Sequence, residues 1–180
     1  FGVPLVLNSV LRDGTLREVA EANNIPVITY EAGEALRFEE SCIRPGVRGV
    51  LNVMRHLQML PPSKKVSTKI EPAVARSSQW VRAENDGVFR PLVALGQRIK
   101  TGQLLGRISS PFNADEVDVI SPCAGILVGR NNLPLVNEGD ALFHIARFEE
   151  VKEVALQYEE FTNTISEAGS VVEGEPPIAP

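Results

Sequence analysis

Pro26-Val27-Ile28-Thr29-Tyr30-Glu31-Ala32-Gly33-Glu34 is the stretch whose reading decides the fold. Val, Ile, Thr and Tyr favour a strand, because branching at Cβ or an aromatic ring suits a pleated, half-buried surface. Ala32-Gly33 ends it, since glycine lets the backbone turn away at positive φ. The expectation is a buried strand that stops at Glu31. Upstream, Val3-Pro4-Leu5-Val6-Leu7 is a second apolar run. Between the two, Thr15-Leu16-Arg17-Glu18 reads as a capping box. Leu16, Val19 and Ala20 give the helix an apolar side, and Asn23-Asn24 stops it, because asparagine tolerates the left-handed conformation. Strand, helix and strand, with about twenty residues between the apolar runs, fit a right-handed parallel crossover. In open α/β sheets ligands bind beyond the carboxyl ends of the strands, which is where Glu31 falls. The plain alternative is a surface carboxylate in a loop.

Composition narrows the classes. A length of 180 residues allows one domain or two small ones, and 43% apolar residues is ordinary for a globular chain. A net charge of −5 gives no reason to expect nucleic acid or an anionic membrane as partner. No apolar run approaches the roughly 20 residues that span a bilayer, and no signal peptide is visible, so the expected compartment is the cytoplasm. The start, Phe1-Gly2-Val3-Pro4, looks like the approach to an internal strand, so a piece of a longer chain is expected. Cys42 and Cys123 lie in different segments and read as free, reduced thiols.

Residues 1–62 form the expected α/β segment. Residues 36–60 read as helical. Leu36, Phe38, Cys42 and Ile43 give a short apolar face before Pro45. Val47, Val50, Leu51, Met54, Leu57 and Leu60 then repeat at three- and four-residue spacing. Pro45 is expected near the first turn of that second piece, with Arg44, Arg48 and Arg55 on the wet side. Pro61-Pro62-Ser63-Lys64-Lys65 reads as a linker. Residues 63–148 change to short alternating strands, with candidates at 81–83, 87–89, 104–108, 117–120, 125–128 and 141–145. Residues 149–180 hold the rest of a charged helix spanning 148–161 and, beyond Thr162, a tail rich in Ser, Gly, Glu and Pro that includes 173–177.

The β segment repeats itself. Gly102, Leu105 and Ile108 map onto Gly139, Leu142 and Ile145 at a constant offset of 37. Two equivalent sets of short strands imply a flattened sandwich of interlocking halves, the glycines making the tight turns. The repeat resembles the biotinyl/lipoyl-type barrel-sandwich hybrid. In carrier domains of that fold a hairpin lysine holds the cofactor. The matching stretch here, Ser110-Pro111-Phe112-Asn113-Ala114-Asp115-Glu116-Val117, has no lysine, so the fold is expected to serve structure or to shape a site.

Motif evidence leaves two candidates. His56 and His144 have no partner at metal-ligand spacing, and neither a nucleophilic triad nor a Gly-x-Gly-x-x-Gly loop is present. Glu31 is the candidate carboxylate. Arg17, early in the helix, could offer a forked donor to a substrate carboxylate, against the plainer reading of an exposed helix arginine.

Gly14-Thr15-Leu16-Arg17, Ile25 to Glu34, Gly46 to Leu57 and Asn132 to Ala146 together resemble the succinylglutamate desuccinylase/aspartoacylase family, of the zinc carboxypeptidase superfamily. The resemblance covers most of residues 1–148. It implies the end of a mixed α/β carboxypeptidase-like sheet domain followed by an all-β domain of barrel-sandwich-hybrid type. It also implies hydrolysis of an acyl group such as succinyl or acetyl from an N-acyl amino acid, a small-molecule partner. The family's Thr-x-Glu-x-Gly motif stands here as Thr29-Tyr30-Glu31-Ala32-Gly33, which makes Glu31 the general base, its pKa moved up by desolvation. Arg17 is similar to the arginine that binds substrate carboxylate, at a different spacing from the glutamate. The family's zinc ligands, a His-x-x-Glu pair and a later histidine, lie upstream of the matched region, and none is present. The 180 residues are therefore expected to be a C-terminal portion, inactive alone, and possible as a homo-oligomer. The competing readings are a carrier module and a non-catalytic binding or assembly module.

Overall fold

The computed structural model describes residues 1–63, 71–112, 115–149 and 151–168, and the chain divides into two compact units. One comprises Phe1–Pro4, Ser9–Pro72 and Glu160–Pro180; the other comprises Leu5–Asn8 and Ala73–Glu159.

The second unit contains the strands. In chain order they are β1 (Leu5–Leu7), β2 (Ala73–Ala75), β3 (Ser77–Arg82), β4 (Gly87–Pro91), β5 (Arg98–Ile99), β6 (Leu104–Ser109), β7 (Glu116–Ile120), β8 (Gly125–Arg130), β9 (Leu135–Val136) and β10 (Ala141–Arg147). All six expected strands of the β segment are present. β1 and β2 make a parallel pair with Leu5 opposite Ala73. The others form two antiparallel sheets, ordered β3-β10-β8-β5 and β7-β6-β4-β9.

Those orders express the 37-residue repeat. β4 corresponds to β8, β6 to β10 and β5 to β9, yet β5 pairs with β8 and β9 pairs with β4. Each half therefore lends its two-residue strand to the sheet of the other, and the halves interlock as the repeat implies. One core lies between the sheets. Ile99, Leu105, Leu127, Val136, Leu142, Phe143 and Ile145 are completely buried, and Phe89 meets Phe143 edge-on with ring centroids 5.4 Å apart. Alternation along β4 puts Phe89 inward, whereas bulged β10 buries Leu142–Phe143 and Ile145–Ala146 as adjacent pairs, and each buried aliphatic contributes about 1.5–3 kcal/mol.

α3 (Val151–Ala168) runs on past the expected end at Phe161. Val154, Tyr158, Phe161 and Ile165 recur at four- and three-residue spacing, so the apolar side continues beyond Thr162. Ile165 is buried, and Thr164 Oγ1 donates back to the Glu160 carbonyl at 2.8 Å. The tail expected over 173–177 lies outside the described residues. In the second unit the Tyr158 ring fills the space a side chain at position 96 would need.

The first unit holds α1 (Leu16–Ala22) and α2 (Glu40–His56). Thr15 caps α1, its Oγ1 accepting from the Glu18 N–H at 3.3 Å. The Glu18 carboxylate reaches one residue further back than a capping box requires, accepting from the Gly14 N–H at 2.6 Å. Asn24 closes α1 at φ +56°. Its N–H donates to Glu21 O and that of Ile25 to Ala20 O, a complete Schellman motif.

Three expectations fail in this unit. Residues 26–32 are not a strand, and β1 pairs with β2 instead of with them, so the parallel crossover is not formed. A strand preference is a preference for packing on a pleated surface, and among the described residues no neighbouring strand is offered to this segment. Leu36 and Phe38 precede the helix and are fully solvent-exposed. Pro45 does not open a second piece: α2 is continuous through it. Its missing N–H leaves the Ser41 carbonyl without its intrahelical donor, one bond lost in a 17-residue helix.

The burial of α2 is also unlike the expectation. Its packed side is made of small residues. Pro45 and Gly49 are buried, the Phe1 ring occupies the place of a side chain at position 49, and the Tyr30 ring lies within 2.8 Å of where a Cβ at position 46 would stand. The apolar periodicity runs along another side, on which Val47, Val50 and Leu57 are exposed.

The turn glycines give a direct test. Gly102 and Gly139 sit at φ +77° and +87° with open space where a Cβ would point. Alanine at either is strained by backbone conformation alone, at about 1 kcal/mol. Urea unfolding of Gly139→Ala and Gly102→Ala should each show that loss, and wild-type stability in both would contradict the turn assignment.

Candidate functional site

Residues 30–39 form a loop tied to the first turn of α2. The Tyr30 hydroxyl donates to the Cys42 carbonyl at 2.8 Å, and its ring packs on Phe1 with centroids 5.2 Å apart. Gly33, at φ +83°, turns the chain across the Cys42 side chain. Glu39 stands at the N-cap of α2, but its carboxylate does not cap the helix. It accepts from the Glu34 N–H at 3.0 Å through Oε1 and from the Cys42 thiol at 3.6 Å through Oε2. One carboxylate thus closes the loop that carries Glu31 onto the helix. Glu34 also faces the Arg37 guanidinium at 3.4 Å.

Glu31 lies on this loop and is solvent-exposed. Among the described residues its carboxylate makes no hydrogen bond or ion pair. The expected desolvated position at a strand end is therefore not what this chain builds by itself, because the segment before Glu31 has no sheet to end. Arg17 is half-buried on α1, and its Nη1 donates to Ser9 Oγ at 2.8 Å. No hydrogen bond or ion pair joins Arg17 to Glu31.

Tyr30, Glu39 and Cys42 were not singled out as site residues by the sequence. Tyr30 had a local signal, its position one residue before the candidate base. Glu39 had none, since acidic residues ahead of a helix are common and its bonds reach the loop and the thiol rather than the helix N-terminus.

No group of three or more His, Cys, Asp or Glu side chains able to hold an ion occurs among the described residues. His56 is exposed in the first unit, whereas His144 belongs to the second and stacks on Trp80 with centroids 4.1 Å apart. The described residues do not fit a zinc centre. No helix among the described residues is long and apolar enough to cross a membrane.

The fold defines the class. The chain has the fold of the C-terminal portion of proteins of the succinylglutamate desuccinylase/aspartoacylase family, mixed α/β with antiparallel sheets. The succinylglutamate desuccinylase/aspartoacylase of Rhodobacter sphaeroides is similar at 22% identity and a TM-score of 0.70, over 82% of this chain and 47% of that one. The ectoine utilization protein EutE (DoeB) of Ruegeria pomeroyi is similar in its product-bound form at 21% identity and TM-score 0.70, over 80% and 45% of the two chains. Its apo form gives 20% and 0.72, over 81% and 47%. The chain thus spans about half the length of these solved structures. No protein-family model matches it, and no curated protein matches it in sequence.

The thiols follow from the same geometry. Burial raises the Cys42 thiol above its ordinary value and the nearby Glu39 carboxylate pushes the same way, although hydrogen bonds from Ser41 and the Gly33 backbone oppose them. Burial also raises Cys123, against the opposing charge of Arg147. Neither is an activated nucleophile. The folded state holds these protons more tightly than the unfolded chain. Their contribution to stability is therefore full below the unfolded thiol pKa of about 8.5 and is lost as pH climbs through the raised folded values. Iodoacetamide labelling of the native chain should be slow near neutrality, with a midpoint above that of a free thiol. Rapid labelling of both cysteines at pH 7 would contradict the geometry.

Proposed function

We propose that these residues are the base-bearing, C-terminal part of a deacylase that hydrolyses an N-acyl amino acid. The observation that supports it is the fold match over 82% of the chain to the Rhodobacter sphaeroides succinylglutamate desuccinylase/aspartoacylase. The Thr29-Tyr30-Glu31-Ala32-Gly33 motif stands beside it.

In this reading Glu31 takes a proton from the water that attacks the amide carbonyl, and a proton is then delivered to the departing amine nitrogen. Tyr30, Gly33 and Glu39 hold the loop that presents it. Arg17 uses one donor on Ser9, and the rest of its planar fork suits a substrate carboxylate. The zinc implied by the resemblance would be held by donors beyond the described residues and would supply an activated water. The two interlocked sheets are read as a β domain of barrel-sandwich type. Burial of Glu31 then depends on polypeptide that places a sheet beside residues 26–30.

Two measurements test the proposal. The 180-residue chain alone should not hydrolyse N-acetylaspartate or N-succinylglutamate. In the gene's full product, Glu31→Gln should lower kcat by about 100-fold or more with KM little changed, the size expected for a general base. Turnover by the 180 residues alone, or an unchanged kcat in the variant, would refute it.

A further inference from the structure

The 37-residue repeat builds one turn of the second unit twice. At residues 100–103 the Lys100 N–H donates to Gln103 Oε1 at 2.9 Å, and the Gln103 N–H donates to the Lys100 carbonyl at 3.1 Å. At residues 137–140 the Asn137 N–H donates to Asp140 Oδ2 at 2.8 Å, and the Asp140 N–H donates to the Asn137 carbonyl at 3.0 Å. Gly102 and Gly139 hold the same left-handed place, at φ +77° and +87°. The turn thus requires a glycine third and a side-chain acceptor fourth. It requires nothing of charge, and the two copies differ in charge. Glu138 and Asp140 make one turn acidic, whereas Thr101 and Gln103 stand in their places in the other. Arg98 and Lys100 likewise stand where the second copy has Leu135 and Asn137.

The basic copy is concave. Gln97, Arg98, Lys100, Thr101, Gly102 and Gln103 line an open depression of about 590 Å³, and no described carboxylate lines it. Arg98 and Lys100 are exposed on either side of the completely buried Ile99, so alternation points both outward. Gln97 Oε1 accepts from the Ala94 N–H at 3.0 Å, as Gln103 Oε1 does from Lys100. A backbone N–H needs an acceptor, so these bonds fix both amides and leave their NH2 groups as the free ends. Elsewhere in this unit arginines are engaged: Arg76 with Glu149, Arg107 with Glu116 and Asp118, and Arg130 with the Val93 carbonyl. Among the described residues the Arg98 and Lys100 side chains make no hydrogen bond or ion pair.

We infer that the 97–103 turn binds a small ligand through a phosphate or carboxylate oxyanion. The Arg98 guanidinium offers a fork for two oxygens, and Lys100 supplies a second charge. The two amides and the Thr101 hydroxyl add neutral donors. A net charge of −5 does not draw anions to the chain from a distance, so the attraction is local and screened by salt. The site lies wholly within the second unit and stands whether or not Glu31 is a base.

Isothermal titration calorimetry on the gene's full product tests this, with inorganic phosphate in one arm and malonate in the other. At least one should bind at low ionic strength with Kd on the order of 1 mM or below, and added NaCl should weaken it. Binding of phosphate alone, malonate alone or both identifies the oxyanion, and each supports the inference. Arg98→Leu with Lys100→Asn installs the residues that the fold already carries at the equivalent turn, and it should weaken binding at least about 10-fold. Gln103→Glu keeps an acceptor for the Lys100 N–H and replaces a donor with an oxyanion, so it should weaken binding as well. Arg90→Leu, on the other sheet, should leave it unchanged. Absence of binding in both arms would overturn the inference. So would an affinity that the Arg98→Leu, Lys100→Asn pair leaves intact, because the anion would then sit elsewhere.

Discussion

Two two-residue strands hold the second unit together. β5 and β9 are too short to persist alone, yet each closes the sheet whose other strands include those of the opposite half. Their inward residues, Ile99 and Val136, are completely buried in the common core. Neither sheet can be completed before the other half is in place, so the Phe89–Phe143 contact and the buried leucines and isoleucines form together. The charged residues stay on the outside of this arrangement. Arg107 bridges Asp118 at 2.9 Å and Glu116 at 3.2 Å across β6 and β7, on a surface where such pairs add little.

The first unit obeys the opposite logic. Its local signals are satisfied: a threonine cap, an asparagine closing α1 and a glutamine at φ +60° closing α2 with the same pair of bonds. Short-range capping stabilises a helix end by about 1 kcal/mol but buries almost nothing. This explains how two helices closed at their C-terminal ends can coexist with few buried apolar side chains among the described residues. The loop at Glu31 inherits that condition. It is held from behind by Glu39 and Tyr30, and its front is open to solvent.

Legibility in the sequence followed the range of the interactions. Alternation found the six longer strands of the β segment, and the 37-residue repeat found their interlocking, because both are written in residues that pack against one another within the chain. β5 and β9 were missed as strands, since two residues show no period. The strand at 26–30 was expected from composition alone, and composition does not say whether a neighbour exists. For α2 the apolar period was read correctly as a helix and wrongly as its packed side, because Pro45, Gly46 and Gly49 pack through absence of bulk. Glu31 and Arg17 were visible as candidates through motif and helix position. The bonds that hold the Glu31 loop, from Glu39 above all, depend on side-chain reach that no spacing encodes.

The traded strands carry a consequence for ancestry. A single 37-residue unit has no means of finishing its own sheet and would leave β4 or β8 with a bare edge. Two identical copies could satisfy one another only by swapping that short strand across a twofold axis. The second unit has, in effect, the arrangement of such a swapped pair written into one polypeptide, with Gly102 and Gly139, both at positive φ, at the equivalent turns.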